Sequence, residues 1–456
     1  MLCIALFLCM HYVVYSFDSY VNNWFPVVPI SSYDFSNPSK ITILNKEFVL
    51  WKKNENEFVV QDDKCSHRCA PLSEGYLDRT SGNLRCSYHG WEFTTKGSLG
   101  CLPQSNTPYA YGGIKRLSIH TYETCVYGDI LWAFLGNKTA EKSNYINGHP
   151  FKFQLVDGMK TMMREVPYDF FILLENLFDP AHVPFAHHKL QSVRERGGPV
   201  KVDILCEDES KFKVSFTDTA INRGSANETY RKGTMNFELP CHYYVESIYP
   251  PNSILDVLHV FTIPVQDGYS RILIQTQYNK NHPLYNIVRF IPPWIQHTLT
   301  NKFFDSDTLL LHEQERILDK LRLNGNGTKD DLMQYNLMTE SDYSVFRYNR
   351  WMKRNNGLQL PYYKMADYGK KEKDGREVDR KMILDRYSQH TKNCIHCKGV
   401  LTFAKRTQRY AYWVGTLSAF LLDEPIFAAL GGIVWLGMDK IKRMLTFEDY
   451  VHNNID

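Results

Sequence analysis

Cys65 and His67 are one residue apart, and Cys86 and His89 are two apart, in the order C-x-H … C-x-x-H. The residue types matter more than the count. Two thiolates and two neutral imidazoles can share a two-iron, two-sulfur cluster, with the thiolates on one iron and the nitrogens on the other. Exchanging thiolate for imidazole raises the reduction potential well above that of an all-cysteine cluster. The same four ligands also suit tetrahedral zinc. Zinc modules, however, usually pair Cys with Cys and His with His, whereas each arm here carries one of each.

A second constellation lies at Asn176-Leu177-Phe178-Asp179-Pro180-Ala181-His182-Val183-Pro184-Phe185-Ala186-His187, which reads N-x-x-D-x-x-H-x4-H. The apolar run into Phe178 predicts a helix, which Pro180 and Pro184 then interrupt. Two histidines five apart on a chain bent in this way can converge on one metal. With a carboxylate they make the facial triad of non-haem iron(II) oxygenases, which leaves positions for oxygen. The carboxylate candidates lie far downstream, in Asp305-Ser306-Asp307 ahead of Leu309-Leu310-Leu311. Asp307 is the expected third ligand and Asp305 the alternative; capping a helix is the other use of an aspartate there. His188 is expected behind the ligands or on the surface.

Together these motifs resemble the Rieske-type aromatic-ring oxygenases, over most of residues 20 to 405. Supporting matches are Trp24-Phe25-Pro26-Val27, Ala70-Pro71-Leu72-Ser73-Glu74-Gly75, Tyr88-His89-Gly90-Trp91 and Pro103-Gln104. Tyr88 stands where respiratory Rieske proteins carry a disulfide cysteine, which leaves Cys69 a spare thiol packed near the cluster. Leu384-Asp385-Arg386-Tyr387 followed by Cys394-Ile395-His396-Cys397 is similar to the plant and algal branch containing pheophorbide a oxygenase and the translocon-associated inner-envelope Rieske protein. By itself a C-x-x-C is a redox pair, half a zinc site or coincidence, and no second C-x-x-C is present to complete a zinc site.

The resemblance implies an α+β protein. It would have an N-terminal all-β Rieske domain, a helix-grip (START-like) antiparallel-sheet catalytic domain and C-terminal hydrophobic helices. It implies a Rieske 2Fe-2S cluster on Cys65, His67, Cys86 and His89, and mononuclear iron(II) on His182, His187 and Asp307. The expected assembly is a head-to-tail homotrimer in which Asp179 links His182 to His89 of a neighbouring copy. Ferredoxin is the implied donor, and dioxygen and a chlorophyll-derived tetrapyrrole are the implied substrates. Thioredoxin is an implied partner of Cys394 and Cys397, and the place is the plastid inner envelope or thylakoid membrane. A redox-sensing component of plastid protein import, or an oxygenase of another substrate such as a sterol or small amine, are the rival readings.

Organisation follows: a hydrophobic leader over 1–20, the Rieske domain over 21–135, the catalytic domain over 136–385, the C-x-x-C segment over 386–405 and a membrane-associating tail over 406–456. Residues 1–17 are apolar and uncharged, and are expected to be a targeting signal or a truncated start. Runs such as Phe48-Val49-Leu50-Trp51 predict strands, with Gly112-Gly113 at a turn; residues 200–280 alternate like a catalytic sheet. A helix is expected from Ser341 to Met352 and a charged loop from Lys370 to Arg380. The tail has two apolar halves split by Asp423-Glu424-Pro425. Each half is shorter than the roughly 20 residues of a spanning helix, so a hairpin dipping into one leaflet is expected. A net charge of +3 over 456 residues gives no reason to expect nucleic acid. Eleven scattered cysteines suit a reducing compartment, with Cys125, Cys206 and Cys241 expected as buried thiols.

Overall fold

The computed structural model describes residues 20–105, 114–136, 160–218, 231–249, 254–277, 290–323, 334–354 and 379–452. The expected leader, the Gly112-Gly113 turn and most of the charged run from Lys370 lie outside the described residues.

The N-terminal part is built from short strands whose alternate side chains turn inward. These are β1 (Trp24–Pro29), β2 (Ser39–Ile43), β3 (Lys46–Asn54) and β4 (Glu57–Asp62), then β5 (Tyr76–Leu77), β6 (Leu84–Arg85), β7 (Glu92–Phe93) and β8 (Leu99–Cys101), and last β9 (Thr121–Tyr127) and β10 (Ile130–Phe134). They form a six-stranded sheet in the order β1-β10-β9-β4-β3-β2 and a four-stranded sheet of β5 to β8. Leu44 and Asn45 both take positive φ in the two-residue turn joining β2 to β3, as a tight hairpin demands. Their amides donate to the carbonyls of Pro264 and Val265, which docks this sheet on the next.

That next sheet is seven-stranded and antiparallel, in the order β11-β17-β16-β15-β14-β13-β12. Its strands are β11 (Met162–Val166), β12 (Val200–Glu207), β13 (Lys211–Asp218), β14 (Arg231–Glu238), β15 (His242–Tyr249), β16 (Ile254–Gln266) and β17 (Tyr269–Gln277). One apolar core runs through both large sheets, with Trp132 edge-on to Phe261 at 5.2 Å between ring centres. A smaller core of its own holds Cys65, Cys86, Trp51 and Phe93. Cys241 is buried as expected. Cys125 and Cys206 are only half-buried, Cys206 lying at an irregular register step of the edge strand β12.

The helices brace the seven-stranded sheet. Asp169 caps α1 (Phe170–Leu177), which buries its first six residues. Two short turns onward comes α2 (Val183–Ala186), with Pro184 in its first turn. The long helix α3 (Pro293–Leu323) starts at a proline, where the missing amide costs nothing. Tyr348 and Trp351 of α4 (Asp342–Arg354) pack on Phe178, Phe212 and Phe237. Then follow α5 (Arg380–Ile383), α6 (Arg386–Gln389) and an antiparallel pair, α7 (Ile395–Leu422) and α8 (Pro425–Thr446). This pair occupies the two apolar halves of the tail and turns at Asp423, which is left-handed at φ 53°. Gly415 and Gly431 let the two backbones touch: a Cβ on Gly415 would lie 3.0 Å from the Gly431 Cα. Among the described residues no helix is long and apolar enough to cross a membrane. The chain is thus a mixed α and β protein with an N-terminal β part, antiparallel sheets and C-terminal helices.

A buried ion triad ties α3 to its neighbours. Asp305 accepts from Arg164 of β11 at 2.6 Å and from Arg386 of α6 at 2.7 Å, and all three side chains are at most 1% exposed. Arg164 also bonds Asn301 and Gln389, and Arg386 bonds the Met444 carbonyl. This excludes Asp305, the alternative third ligand, from any metal: both its oxygens are committed to guanidinium groups. Removing one member of a buried charge network costs about 3–5 kcal/mol, because its partners stay buried without compensation. Asp305→Ala is expected to lower the unfolding free energy measured in urea by an amount in that range, and the midpoint with it. An unchanged midpoint would show that water reaches the two arginines.

Candidate functional site

The two metal-type loops of the N-terminal part repeat one backbone design. In the first, the Cys65 amide donates to the Ala70 carbonyl and the Cys69 amide to the Cys65 carbonyl, at 2.8 and 3.0 Å. In the second, Cys86 donates to Trp91 and Gly90 to Cys86, at 2.9 and 2.8 Å. Cys69 (φ 60°) and Gly90 (φ 71°) sit at equivalent left-handed corners. The serine after each cysteine ties its loop to the frame, Ser66 to the Leu117 carbonyl and Ser87 to the Glu74 carbonyl. Gln104 donates to the His89 carbonyl at 2.7 Å, and the Trp91 ring stacks on His67 at 4.4 Å. The flanking motif residues are therefore the loops' own supports.

These turns bring the four residues together. The Cys65 and Cys86 thiols face each other in the interior, and the His67 and His89 rings lie 4.6 Å apart at the rim. Burial pushes the Cys65 thiol up to about 11, so the thiolate here needs a cation beside it. His67 is exposed, and its slight desolvation, with His89 and Arg68 nearby, holds its pKa low and its ring neutral. Buried sulfur on one side and exposed neutral nitrogen on the other fit an iron–sulfur cluster with one iron facing solvent. Cys69 is exposed rather than packed inward.

The second site gathers His182, His187 and Asp307, whose ligand atoms all lie within 4.8 Å of one another. The Nε2 atoms of the two imidazoles are 3.3 Å apart, and His187 Nε2 is 3.4 Å from Asp307 Oδ2. The proline-bent segment after α1 supplies the histidines, and α3 supplies the carboxylate. His182 Nδ1 meets the Asp179 backbone carbonyl, while the Asp179 carboxylate stands 3.9 Å off and accepts from the Ala181 amide. His187 Nδ1 pairs with the Ser306 hydroxyl at 2.7 Å, which leaves Nε2 facing Asp307. Both outer partners set ring orientation as metal-site histidines require. Burial first, then His182 and His452, hold His187 down at about 3, so its imidazole is neutral and its lone pair free. Burial pushes Asp307 up to about 6; His182 opposes this and Asp179 adds to it. A buried carboxylate destabilised in this way is one whose charge a cation would compensate. Desolvation likewise raises Asp179, against the pull of His182. The set fits a divalent iron with open positions.

His188 is neither a ligand nor on the surface: it is buried, and its Nδ1 accepts from the Arg194 amide. Three further residues at this site carried no readable signal. Ser306 lies between the two aspartates and has no metal-ligand type of its own. Tyr450 and His452 approach Ser306 from the C-terminal end, where Arg194 holds the His452 carbonyl at 2.9 Å. At the other site, Gly75 is confined: a Cβ there would lie 2.3 Å from the Arg85 carbonyl oxygen, one residue before Cys86. Gly75→Ala is expected to push the two loops apart. The purified protein should then lose most of the visible absorption of its cluster while keeping mononuclear iron. Full absorption in the variant would show that the loops tolerate the displacement.

A model of the Rieske [2Fe-2S] domain matches residues 23–123, and a model of the pheophorbide a oxygenase family matches residues 237–323. The chain is 30% identical to flavonoid 8-hydroxylase 2, chloroplastic, of Ocimum basilicum, over 82% of this chain and 72% of the relative. It is 26% identical to pheophorbide a oxygenase, chloroplastic, of Oryza sativa subsp. japonica, over 95% and 85%. Its fold is similar to that of dicamba monooxygenase bound to dicamba, with a TM-score of 0.57 at 17% identity, over 74% of this chain and 98% of that one. The chain belongs to the Rieske-type non-haem iron oxygenases, in the branch of pheophorbide a oxygenase, with that family's 2Fe-2S cluster and mononuclear iron.

Proposed function

We propose that this oxygenase takes electrons from ferredoxin and inserts oxygen from O2 into a chlorophyll-derived tetrapyrrole, at a ring carbon or meso bridge. The observation that carries the reading is the meeting of His182, His187 and Asp307 in a chain whose relatives include pheophorbide a oxygenase. Cys65, His67, Cys86 and His89 hold the cluster, and His182, His187 and Asp307 hold the iron. When bound, the cluster relays single electrons and the iron activates dioxygen. The chain's own residues prepare for this. Ser306 and the Asp179 carbonyl fix the imidazole orientations, and burial keeps the His187 ring neutral for binding. Phe303 packs on His187 at 5.0 Å and gives that side of the site an apolar wall.

The proposed assembly is the head-to-tail homotrimer, in which His89 at the exposed rim of one copy meets Asp179 of the next. Supporting this, the Asp179 side chain is still 33% exposed in the single chain although it stands beside a metal ligand. The catalytic sheet with α3 is proposed to be a helix-grip domain. Flavonoid 8-hydroxylase among the relatives favours a second reading, a flat phenolic substrate at the same iron.

The test is to supply labelled dioxygen and reduced ferredoxin to the anaerobically purified protein with pheophorbide a, a linear chlorophyll catabolite, protochlorophyllide or a flavone. Labelled product from a tetrapyrrole is expected. Asp307→Asn should abolish it with loss of mononuclear iron, and Asp179→Asn should abolish it with both metals retained. Product from the flavone alone would replace the tetrapyrrole reading.

Location is proposed as the plastid inner envelope or thylakoid surface, with the α7–α8 hairpin as the attachment. Its outer face exposes Leu417, Phe420, Leu421, Ile433 and Leu436. Trp413 and Trp435 stand with Lys405, Arg409 and Lys442 nearer its base, as at a membrane interface. Asp423 and Glu424 at the tip would sit near the bilayer centre if the hairpin stood upright, which is costly. A hairpin lying along one leaflet keeps them at the headgroups. Full-length protein should therefore sediment with anionic vesicles, and replacing Leu417, Leu421 and Ile433 together by Asp should release it. Equal sedimentation of both proteins would place attachment elsewhere.

A further inference from the structure

The C-x-x-C pair does not stand alone. Cys394, Cys397, His297 and His390 put two sulfurs and two nitrogens within 4.8 Å of one another, and all four residues are buried. The individual approaches are even. His390 Nε2 is 3.3 Å from the Cys397 sulfur, and His297 Nδ1 is 3.4 Å from the Cys394 sulfur and 3.6 Å from that of Cys397. Around a tetrahedral zinc with ordinary bond lengths, sulfur and nitrogen are about 3.6 Å apart along each edge. We propose that these four side chains form a closed structural zinc site, separate from both iron centres.

Three further features support it. First, His390 Nδ1 donates to the Met163 carbonyl at 2.6 Å, which fixes the tautomer and presents the Nε2 lone pair to the sulfurs. An imidazole oriented in this way is the usual outer support of a metal ligand. Second, Cys394 occupies the N-cap position of α7 and Cys397 lies in its first turn, where the helix N-terminus favours thiolate charge. Third, the sulfurs are out of reach. Cys397 is 0% and Cys394 4% exposed, whereas thiol–disulfide exchange needs an attacking thiolate to reach a sulfur. A closed Cys2His2 set leaves no position for substrate or oxygen, which marks a structural role.

The site would join three parts of the fold, which are α3, the stretch from α6 into α7, and β11. His297 comes from the start of α3, His390 from the residue after α6, and the cysteines from α7; β11 braces His390 through Met163. The surrounding apolar cluster is small, with Leu401 and Leu445 packed against Trp294, Val400 and Ile441. A metal would therefore hold the base of the helical hairpin to the catalytic helix where packing alone is thin.

The experiment is elemental analysis and zinc-edge X-ray absorption on full-length protein purified without added metal. About one zinc per chain, in a shell of two sulfurs and two nitrogens, is expected. Cys397→Ser and His390→Ala should each remove most of the zinc while leaving iron content and the Rieske spectrum in place. Cys65→Ser should remove the spectrum and keep the zinc. Absence of zinc from wild-type protein would overturn the proposal, as would zinc that disappears only with Cys65. A reversible Cys394–Cys397 disulfide in zinc-free protein would assign the pair to redox control by thioredoxin instead. If a variant fails to fold, the ligand shell of the wild-type zinc decides alone.

Discussion

The buried triad of Asp305 with Arg164 and Arg386 fixes where α3 lies, and most of the chemistry depends on α3. Charge buried this deeply is tolerated only when every oxygen and guanidinium nitrogen is directed at a partner, so the triad permits little sliding or rotation of the helix. Ser306 and Asp307 follow at once in sequence. With Asp305 turned toward the arginines, the helical rotation of about 100° per residue carries Asp307 to the side where His182 and His187 wait. His297 lies ten residues earlier, about 15 Å along the same helix, at the Cys394–Cys397 pair. One beam therefore carries a residue of each C-terminal metal-type site and the clamp that positions both.

The cluster loops solve a different problem. Their thiols must be shielded while their imidazoles face outward to exchange electrons. Two equivalent turns, each with a left-handed corner and each pinned by the serine after its cysteine, place sulfur inside and nitrogen at the rim. The small apolar core behind Cys65 and Cys86 is separate from the large core that unites the two bigger sheets. The cluster end can thus be shaped by its loops without disturbing the frame that holds the iron site.

The C-terminal segment links the helical hairpin to the neighbourhood of Ser306 and Asp307. The helical pair α7–α8 exposes an apolar face, yet its base is tied inward through Arg386, Met444 and Leu445. The chain then passes Tyr450 and His452 beside Ser306.

Much of this was legible in the sequence because it is local. C-x-H … C-x-x-H, the proline-bent H-x4-H and the apolar tail split by Asp423-Glu424-Pro425 are short-range patterns, and ligand chemistry or helix length limits what each can be. Strand alternation was legible for the same reason in the described parts of 200–280. What the sequence could not decide is which distant groups meet. Asp305 and Asp307 are indistinguishable as letters; only two arginines, 141 residues before and 81 after Asp305, separate their roles. The C-x-x-C looked incomplete because its histidines are not another motif. His390, four residues before Cys394, offered a ligand-like spacing, but His297 offered none and reaches the sulfurs only through the packing of α3. Ligand type is a property of residues and their immediate neighbours, so sequence determines it. Ligand partnership across a hundred residues is decided by the burial of helices against sheets, and only the tertiary structure holds that.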